Sequence, residues 1–472
     1  MKRSFGALIA LLFLFGAVLM VPGAASAAKK SDPLVVCKHG CQYKTIQKAA
    51  DKVKKGGKIY VLPGKYKEGV ILEGHKKDDV TIQGMKQKKN GKFKKAKADQ
   101  VILEGKNAKN ENGLAQNGIE GIDVNGLTVK NMWARNYATN GFFVRDSQPF
   151  GEGSNGKIDC NDYVFKNTIA SFNRSYGVYA FGCAGGKMLK SEGYGHGDSA
   201  FYVGASPPQE DPKTTLLSNL DAHENVLGYS GTNSRYIKIT NSDWYNNGVG
   251  IVPNTLDSEP FEPTADSVIE NNNVFWNNFN YFLPNSGVTT VSNGLGTVDI
   301  GSGPQTLQYP TGVGIALFGA QGWVVQNNNV FGNFKFGVAA FSDPFNEGDN
   351  AISTNNQIVN NAMGRDGTDT NAVDFWIDGS GSGNCFSGNN SSTFDPAPAV
   401  PDSALYPTCP APAAPNPGAS NTGLGNLDQV TELVDYVATD PPEKQECKWT
   451  KHPHPPFEDF EPVEVTPGPT CP

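Results

Sequence analysis

Two histidines and three aspartates in the middle of the chain have a spacing that can build an acid–base site. The number of residues from Ala200 to Leu227 is the same as the number from His196 to His223. Asp221 and Asp243 are separated by a shorter interval in the sequence. If residues at these intervals stack about 5 Å apart, both imidazoles and Asp198 share one face. Stacked carboxylates raise the pKa of one partner, which suits acid-assisted glycoside cleavage. The spacing predicts that all five residues are catalytic, with aspartate as acid or nucleophile and histidine as proton relay.

The same residues also have a structural interpretation. An aspartate two residues after a turn asparagine can cap that turn, and stacked histidines can be ordinary turn residues whose side chains bond to the backbone. The sequence leaves both interpretations open.

Four further residues are expected to bind the substrate. Arg235 and Lys238 supply positive charge near the predicted site, and the loop Pro253–Asp266 carries Asp257 and Glu259. Long insertions in a repeat protein gather on one side and often form its binding face. Arg235 would balance negative charge on the sugar or on the transition state.

A third group of carboxylates, close to the end of the repeats, predicts a cation site. Oxygen-rich loops suit calcium, which an exported protein meets at millimolar concentration. None of the spacings matches an EF-hand or a nonapeptide calcium motif. The candidate calcium ligands are Asp343, Glu347, Asp349, Asp366 and Asp369.

The elements that must position these side chains are short strands in a repeating pattern. Asn225 and Asn247 are separated by the same interval as Asp221 and Asp243. The motif NNNVF at Asn271–Phe275 recurs at Asn327–Phe331, and Asn355 follows at half that interval. This kind of period, with asparagine at a turn, is typical of a solenoid in which stacked asparagines bond from coil to coil. The 54 glycines and the asparagine runs argue against an all-helical fold.

Aromatic residues are abundant around these asparagines. They can stack in the lumen as core, which the alternation favours, or form an outer platform for sugar rings. The residues concerned are Trp244, Tyr245, Phe275, Trp276, Phe279, Tyr281, Phe282, Phe331, Phe334 and Phe336.

The chain resembles the right-handed parallel β-helix proteins of the pectin-lyase-like superfamily. The segment Tyr43–Val70, followed by VTIQG at Val80–Gly84, resembles their N-terminal capping helix and first coil, and the asparagine–glycine repeats resemble their coils. The resemblance spans Val35 to Asn390 and implies an all-β, right-handed parallel β-helix. Such helices carry lyases, hydrolases, epimerases and adhesins, so the resemblance implies a fold and leaves the activity open.

Two short motifs resemble those of polygalacturonases. Gly195-His196-Gly197 resembles their G-H-G motif, and Arg235-Tyr236-Ile237-Lys238 resembles their R-I-K motif. In that family His196 would assist the hydrolytic carboxylates, and Arg235 and Lys238 would hold a sugar carboxylate. No N-T-D or adjacent D-D stands one or two coils upstream, where that family carries its aspartates. The sequence also lacks the D-P-H-D run of mannuronan epimerases and the paired arginines of pectate lyases. The motifs therefore do not transfer one activity.

The N-terminus has the pattern of an export signal in residues 1–27. Lys2 and Arg3 precede an apolar run from Ala7 to Val21, and Ala25-Ser26-Ala27 forms a cleavage site. The apolar run is short for a membrane anchor, so we expect a secreted, extracellular protein without a membrane span.

The rest of the chain divides into three parts. Residues 28–110 are expected to form an N-terminal cap, with a helix over Thr45–Gly57, and lysine-rich first coils. Residues 111–391 are expected to form the remaining coils. Residues 392–472 hold 17 of the 31 prolines, which predicts a Pro-rich C-terminal tail with one short helix near Asn426–Val437.

The eight cysteines fall into four local pairs. Cys37 and Cys41 lie within one short loop, and the members of the other three pairs lie about one coil apart. Disulfides fit an exported chain, whereas a metal site at Cys37-x-His39-x-Cys41 would need a fourth ligand. The expected disulfides are Cys37–Cys41, Cys160–Cys183, Cys385–Cys409 and Cys447–Cys471.

Charge is distributed unevenly. Residues 29–110 contain 22 Lys and 8 acidic residues, although the whole chain has a net charge of −7. A solvated lysine face is the simpler interpretation, and an anionic polymer as partner is the alternative. The acidic body of an exported chain argues against nucleic acid.

The sequence leaves two functions open. One is an enzyme, a hydrolase, lyase or epimerase, that acts on extracellular polysaccharide or cell-wall glycan. The other is a non-catalytic β-helix scaffold or adhesion protein of the cell surface or matrix. We expect a monomer, with calcium as the only candidate cofactor.

Overall fold

The chain winds into coils that each add one short strand to each of three sheets. The computed structural model describes residues 32–110, 112–149, 157–279, 281, 296–299, 304–307, 309–343, 349–390, 394–395 and 406–410. Each strand pairs in parallel with the equivalent strand of the next coil, so the fold is a right-handed parallel β-helix. No helix among the described residues has the length and apolar character needed to cross a membrane.

Within one coil the chain passes through the first, second and third sheets in turn. The first sheet has 13 strands, of which Phe93–Lys95 forms an antiparallel hairpin with Thr81–Gln87. The other strands of the first sheet are Leu34–Val36, Lys58–Val61, Thr128–Lys130, Val164–Lys166, Lys187–Leu189, Thr215–Ser218, Ile237–Thr240, Val268–Glu270, Val324–Gln326, Gln357–Val359 and Cys385–Ser387.

The second and third sheets complete each coil. The second sheet has 10 strands: Gly64–Tyr66, Val101–Glu104, Trp133–Arg135, Ile169–Ser171, Glu192–Tyr194, Asp221–His223, Asp243–Tyr245, Asn273–Phe275, Asn329–Phe331 and Ala362–Met363. The third sheet has 11 strands: Val70–Glu73, Asn117–Ile122, Asn140–Arg145, Val178–Phe181, Ser199–Gly204, Leu227–Thr232, Val249–Asn254, Val313–Phe318, Phe336–Phe341, Val373–Ile377 and Phe394–Asp395.

Short elements lie in the connections. Small antiparallel hairpins pair Lys109–Asn110 with Gly113–Leu114 and Gly296–Asp299 with Pro304–Leu307. Single turns of 3-10 type are His75–Lys77, Ala98–Gln100, Asp349–Ala351 and Gly364–Gly367.

An α-helix, Ile46–Lys52, covers the first coil. Thr45, the first residue of the predicted helix, is its N-cap, and both carboxylate oxygens of Glu68 accept hydrogen bonds from the first backbone N–H groups of the helix. Gln47 bonds both the N–H and the carbonyl of Ile71 in the third sheet. The helix is shorter than the predicted Thr45–Gly57 because the backbone becomes extended at Val53.

The lumen is filled by rows of apolar side chains that repeat at every coil. Trp244 and Val274, for example, pair across neighbouring strands of the second sheet and point inward. Tyr245 and Phe275, one residue further on, stack on the outward face with ring centroids 5.1 Å apart. Both predicted locations of the aromatic residues therefore occur in one strand pair, since alternate residues of a strand face opposite sides.

Buried asparagines stack from coil to coil at the turns and hydrogen-bond to one another. The Oδ1 atom of Asn247 accepts from the backbone N–H of Asn225 at 3.2 Å and from its Nδ2 at 2.9 Å. Asn277 and Asn333 continue this ladder with the same pair of bonds. The predicted stacking of asparagines is therefore confirmed, and each amide satisfies a backbone donor that the turn leaves without a partner.

Glycine is required beside this ladder. A Cβ atom on Gly250 would lie 2.5 Å from the carbonyl oxygen of Gly314 and 2.9 Å from Nδ2 of Asn277. Gly314 has equivalent contacts one coil later. The sequence repeat of asparagine followed by glycine is thus one packing unit, in which the amide fills the space of the absent side chain.

One asparagine does not align with the repeat position predicted for it. Asn327 lies in the left-handed conformation with φ 54°, and its partner in the next coil is Asn360 with φ 55°. Asn355 belongs to a different turn, between the third and first sheets, where its N–H donates to the carbonyl of Ser382. The predicted alignment of Asn355 with Asn327 is wrong because a longer third-sheet connection lies between the two turns.

Three disulfides link the described residues, and all have the predicted pairing: Cys37–Cys41, Cys160–Cys183 and Cys385–Cys409. The last one attaches residues 406–410 to the final coil, where Tyr406 packs into the core. The predicted Cys447–Cys471 pair, the export signal and the helix near Asn426–Val437 lie outside the described residues.

We expect Asn247→Ala to lower the free energy of unfolding by about 2–4 kcal/mol, because buried donors on Asn225 lose their acceptor. Denaturant unfolding measures this loss. Asn329→Ala is the matched control, since Asn329 is exposed on the second sheet, and it should change stability by less than about 0.5 kcal/mol. Equal losses in the two variants would contradict the ladder's structural role.

Candidate functional site

The alignment of neighbouring coils separates the two predicted catalytic histidines. His223 pairs with Tyr194 in the second sheet, and Tyr229 pairs with Phe201 in the third. The predicted alignment of His196 with His223 is therefore wrong. The length of the turns between sheets differs from coil to coil, so a single interval does not describe a whole coil.

His196 is a member of the asparagine ladder. Nδ1 of the His196 side chain accepts a hydrogen bond from the backbone N–H of Asn173 at 3.3 Å. The backbone N–H of His196 donates to Oδ1 of Asn225 at 3.0 Å. The side chain is fully buried, and this burial lowers its pKa to about 3. A neutral imidazole that replaces an amide in the ladder has a structural role and cannot relay protons near neutral pH.

Asp221, His223 and Asp243 lie together on the outward face of the second sheet. Asp221 pairs with Glu192 in the preceding coil and with Asp243 in the following coil. The ring of His223 lies between those of Tyr194 and Tyr245, with centroid distances of 5.1 and 5.2 Å. This face is separate from the turn that holds His196.

The charge of His223 is fixed by its neighbours. Burial lowers its pKa, but hydrogen bonds to Glu192 and Glu224 and the charge of Asp221 outweigh burial and raise the pKa to about 9. Nε2 of His223 lies 3.3 Å from Oε1 of Glu192. A histidine that stays protonated in an ion pair at neutral pH stabilises the acidic row and is poorly suited to proton transfer.

The predicted substrate-binding cations are engaged within the protein. Nη2 of Arg235 donates to the carbonyls of Phe261 and Pro263 at 2.7 and 2.9 Å, so Arg235 fastens the loop after the third sheet. Nζ of Lys238 lies 2.6 Å from Oε1 of Glu270 on the first sheet.

The predicted calcium ligands are distributed over two connections. Asp343 follows a strand of the third sheet, whereas Asp366 and Asp369 follow a strand of the second sheet. Oδ2 of Asp369 accepts a hydrogen bond from Nε1 of Trp276 at 2.7 Å. Glu347 lies outside the described residues, as does the side chain of Asp349. Within the described part of the chain, no three acidic, histidine or cysteine side chains form a group that could hold a metal.

Five tyrosines and two carboxylates instead lie close together on the outward side of the third sheet. Two members of this group, Asp198 and Glu259, are predicted site residues. We call this group the tyrosine recess: Tyr176, Tyr179, Tyr202, Tyr281, Tyr309, Asp198 and Glu259.

Strand alternation places the aromatic floor of the recess. Tyr179 and Tyr202 are partners in adjacent strands and point outward, while their neighbours Val178 and Phe201 fill the lumen. The rings of Tyr179 and Tyr202 are 4.8 Å apart, and Tyr176 lies 4.6 Å from each of them. Tyr176 and Tyr179 retain solvent-accessible surface. Both rings are therefore partly accessible from solvent.

The loop over residues 255–264 brings Glu259 to this floor. Nδ2 of Asn233 donates to the carbonyls of Leu256 and Glu259 at 2.8 and 2.6 Å, and Arg235 holds the other end of the loop. The hydroxyl of Tyr202 then donates to Oε1 of Glu259 at 2.8 Å. Asp257, in the same loop, is exposed.

The carboxyl of Glu259 is poised to exchange a proton near neutral pH. Burial raises its pKa to about 7, and the charge of Asp198 adds to this effect, while the hydrogen bond from Tyr202 opposes it. Burial, followed by the charges of Asp198 and Glu259, holds the pKa of Tyr176 and Tyr309 well above the ordinary value. The tyrosine hydroxyls therefore remain protonated and can donate hydrogen bonds. They lie beside two carboxyl groups, Asp198 and Glu259, whose surroundings differ.

The sequence interpretation named Tyr281 among the aromatic residues but missed Tyr176, Tyr179, Tyr202 and Tyr309. The interval that relates Ala200 to Leu227 would also align Tyr202 with Tyr229, but Tyr229 points into the lumen as the partner of Phe201. The alternation in Val178-Tyr179 and Phe201-Tyr202 was the signal available, because an apolar residue followed by tyrosine in a half-buried strand predicts an outward tyrosine.

Comparisons with known proteins do not assign this chain to a family. No protein-family model and no curated protein sequence matches it. The A-module of mannuronan C-5 epimerase AlgE4 from Azotobacter vinelandii is similar in structure, with 13% identity over 74% of this chain and 89% of that one and a TM-score of 0.44.

Two further solved structures are similar at the same level. The catalytic domain of a GH87 alpha-1,3-glucanase has 12% identity, covers 82% of this chain and 69% of that one, and gives a TM-score of 0.42. Pectate lyase Pel9A has 14% identity, with coverage of 78% and 76% and a TM-score of 0.37. Similarity this distant carries no information on substrate or reaction.

We expect His196→Asn to keep stability within about 1 kcal/mol of the parent, because an amide restores the ladder bonds, whereas His196→Ala should cost about 2 kcal/mol more. Denaturant unfolding compares the two variants. A catalytic histidine would lose activity equally in both, so full activity in His196→Asn separates the ladder role from proton relay.

The pKa of Glu259 predicts a pH dependence of stability. Its pKa is raised in the folded chain, so its contribution is fully present below pH 4.5 and is lost as the pH rises through about 7. The thermal midpoint should therefore fall between pH 5 and pH 8 more steeply in the parent than in Glu259→Gln, which keeps an acceptor for Tyr202. Parallel curves would contradict the buried position of this carboxyl.

Proposed function

We propose that the protein binds and hydrolyses a neutral extracellular polysaccharide at the tyrosine recess. The observation that supports this most directly is the hydrogen bond from Tyr202 to Glu259, which holds one carboxyl group in an aromatic recess beside a second, Asp198. Glycoside cleavage needs two carboxyl groups in different protonation states, and aromatic rings are the surfaces on which sugar rings stack.

Five residues of the recess have a role in this proposal. Glu259 gives its proton to the glycosidic oxygen as the bond between that oxygen and C1 breaks. The carboxylate of Asp198 stabilises the positive charge that develops at C1. Water then adds its oxygen to C1 and returns one proton to the carboxylate of Glu259, which restores the acid. Tyr202 orients Glu259, and Tyr176 and Tyr179 offer rings against which a sugar can pack.

The charge of the recess favours a neutral substrate. Asp198 and Glu259 are acidic, and the cation that acts on Tyr179 is Arg145, whose Nε is already 2.9 Å from Oε1 of Glu120. A uronate polymer would bring further negative charge to these carboxylates. Arg235 and Lys238, the predicted partners of a sugar carboxylate, are bound elsewhere.

Export of the chain is part of the proposal. The three disulfides among the described residues form and persist in oxidising compartments, which agrees with the export signal predicted for residues 1–27. A substrate outside the cell follows from that location.

The burial of Asp198, which is 2% exposed, favours a second candidate function. If a sugar cannot approach this carboxylate, the recess would bind glycan through its tyrosines without cleaving it. The protein would then be a glycan-binding scaffold whose stability comes from the asparagine ladders.

Incubation with a panel of neutral polysaccharides, followed by measurement of reducing ends, tests the proposal. We expect activity that falls above about pH 7, where Glu259 loses its proton, and a loss of at least about 100-fold in Glu259→Gln and in Asp198→Asn. Asp257→Asn, in the same loop but exposed, should keep full activity.

Two outcomes would overturn hydrolysis. Binding of a neutral glycan without new reducing ends, weakened by Tyr202→Ala, would establish the scaffold function. Absorbance at 235 nm with a uronate polymer would establish a lyase, and the recess would then hold a different substrate class.

A further inference from the structure

We propose that the outward face of the first sheet, near its N-terminal end, binds a linear anionic polysaccharide, independently of the tyrosine recess. The residues that form this surface, here called the lysine face, are Lys58, Lys95, Lys130, Lys166, Tyr60 and Phe93.

Strand pairing brings the lysines together. Lys130 pairs with Gln83 in the preceding coil and with Lys166 in the following coil, so both ammonium groups stand on the same outward row. Tyr60 pairs with Gln83 and occupies the same row. The hairpin strand Phe93–Lys95 folds back beside it and adds Lys95.

The strands that carry the lysine face contain no compensating acid. The five stacked strands from Lys58–Val61 to Lys187–Leu189 lack Asp and Glu. Nearby lysines outside the face are paired, as Lys55 is with Asp78 at 2.9 Å and Lys65 with Glu104 at 3.9 Å. Among the described residues, no ion pair involves any of the four lysines of the face.

The lysines of the face lie close enough together for their charges to change the pKa of Lys130. Partial burial lowers the pKa of Lys130, and the charges of Lys166, Lys95 and Lys58 lower it further. Four ammonium groups that repel one another destabilise the free protein, and an anionic ligand relieves that repulsion.

Aromatic rings favour a glycan as the anionic ligand. Tyr60 and Phe93 meet edge to face with centroids 5.1 Å apart, and both remain partly accessible beside the lysines. An aromatic edge next to ammonium groups can hold a sugar ring and its carboxylate or sulfate together. The export signal predicted for residues 1–27 would bring the chain to extracellular polysaccharide rather than to nucleic acid, so a polysaccharide is the better fit.

The lysine face would thus attach the protein to an anionic matrix, and the tyrosine recess would bind a different polymer. Titration of the full chain with polygalacturonate, in the Glu259→Gln background to exclude turnover, measures this binding. We expect affinity to fall at least about 10-fold between 50 and 500 mM salt, since surface charges are screened. Neutral dextran should not compete.

Matched single-charge variants locate the site. Lys166→Gln should weaken polygalacturonate binding about fivefold, whereas Lys213→Gln, whose exposed ammonium is paired with Asp162, should not change it. Without polymer, Lys130→Gln should unfold at the same temperature as the parent or higher at low salt, because it removes repulsion. Tyr60→Ala should weaken binding and keep the salt dependence.

Three results would overturn the assignment. Equal weakening by Lys166→Gln and Lys213→Gln would show that net charge alone attracts the polymer. Duplex DNA that binds as tightly as polygalacturonate would show a surface without preference for sugars. A lower unfolding temperature in Lys130→Gln would show that the lysines stabilise the fold.

Discussion

The hydrogen bond between buried amides in neighbouring coils is the interaction on which the rest of this structure depends. At the turns that carry the ladder, a backbone N–H lies inside the protein. A stacked asparagine accepts a hydrogen bond from it and donates its own amide hydrogens to the next coil. Because a buried donor without an acceptor costs about 1–3 kcal/mol, every coil relies on its neighbour. The glycines beside the ladder follow from the same contact, since the amides occupy the space of a Cβ atom.

This constraint also explains the unusual environment of His196. An imidazole can take one place in the ladder because Nδ1 accepts a hydrogen bond as Oδ1 does. It must stay neutral to do so, and burial ensures that. A histidine in a motif that resembles G-H-G is thereby accounted for by the fold, and the proton chemistry of the proposed site depends on Glu259 and Asp198.

The outward faces of the solenoid differ in charge, and each difference has a local cause. The first sheet begins with strands free of acidic residues, and the hairpin Phe93–Lys95 concentrates lysines there. The third sheet presents tyrosines, and the loop fastened by Asn233 and Arg235 adds Glu259. A rigid ladder can therefore support two chemically distinct surfaces, because side chains that face outward do not affect the lumen that holds the coils together.

The sequence by itself determined the features that arise within a coil or between identical turns. The repeat of asparagine and glycine, the alternation of strands, the capping helix after Thr45 and the pairs Cys160–Cys183 and Cys385–Cys409 all have short-range physical causes, and the structure has them. The pairing of Asp221 with Asp243 also followed from two coils of equal length.

Only the tertiary structure decided which side chains meet across coils of unequal length. A connection that is slightly longer or shorter changes the alignment, and a one-residue change moves a strand residue between lumen and surface. That is why His196 pairs with Asn225 and why Tyr202 lies outward while Tyr229 lies inward. The contact of Glu259 with Tyr202 joins distant parts of the chain through a folded loop, and no local pattern in the sequence encodes where such a loop comes to rest.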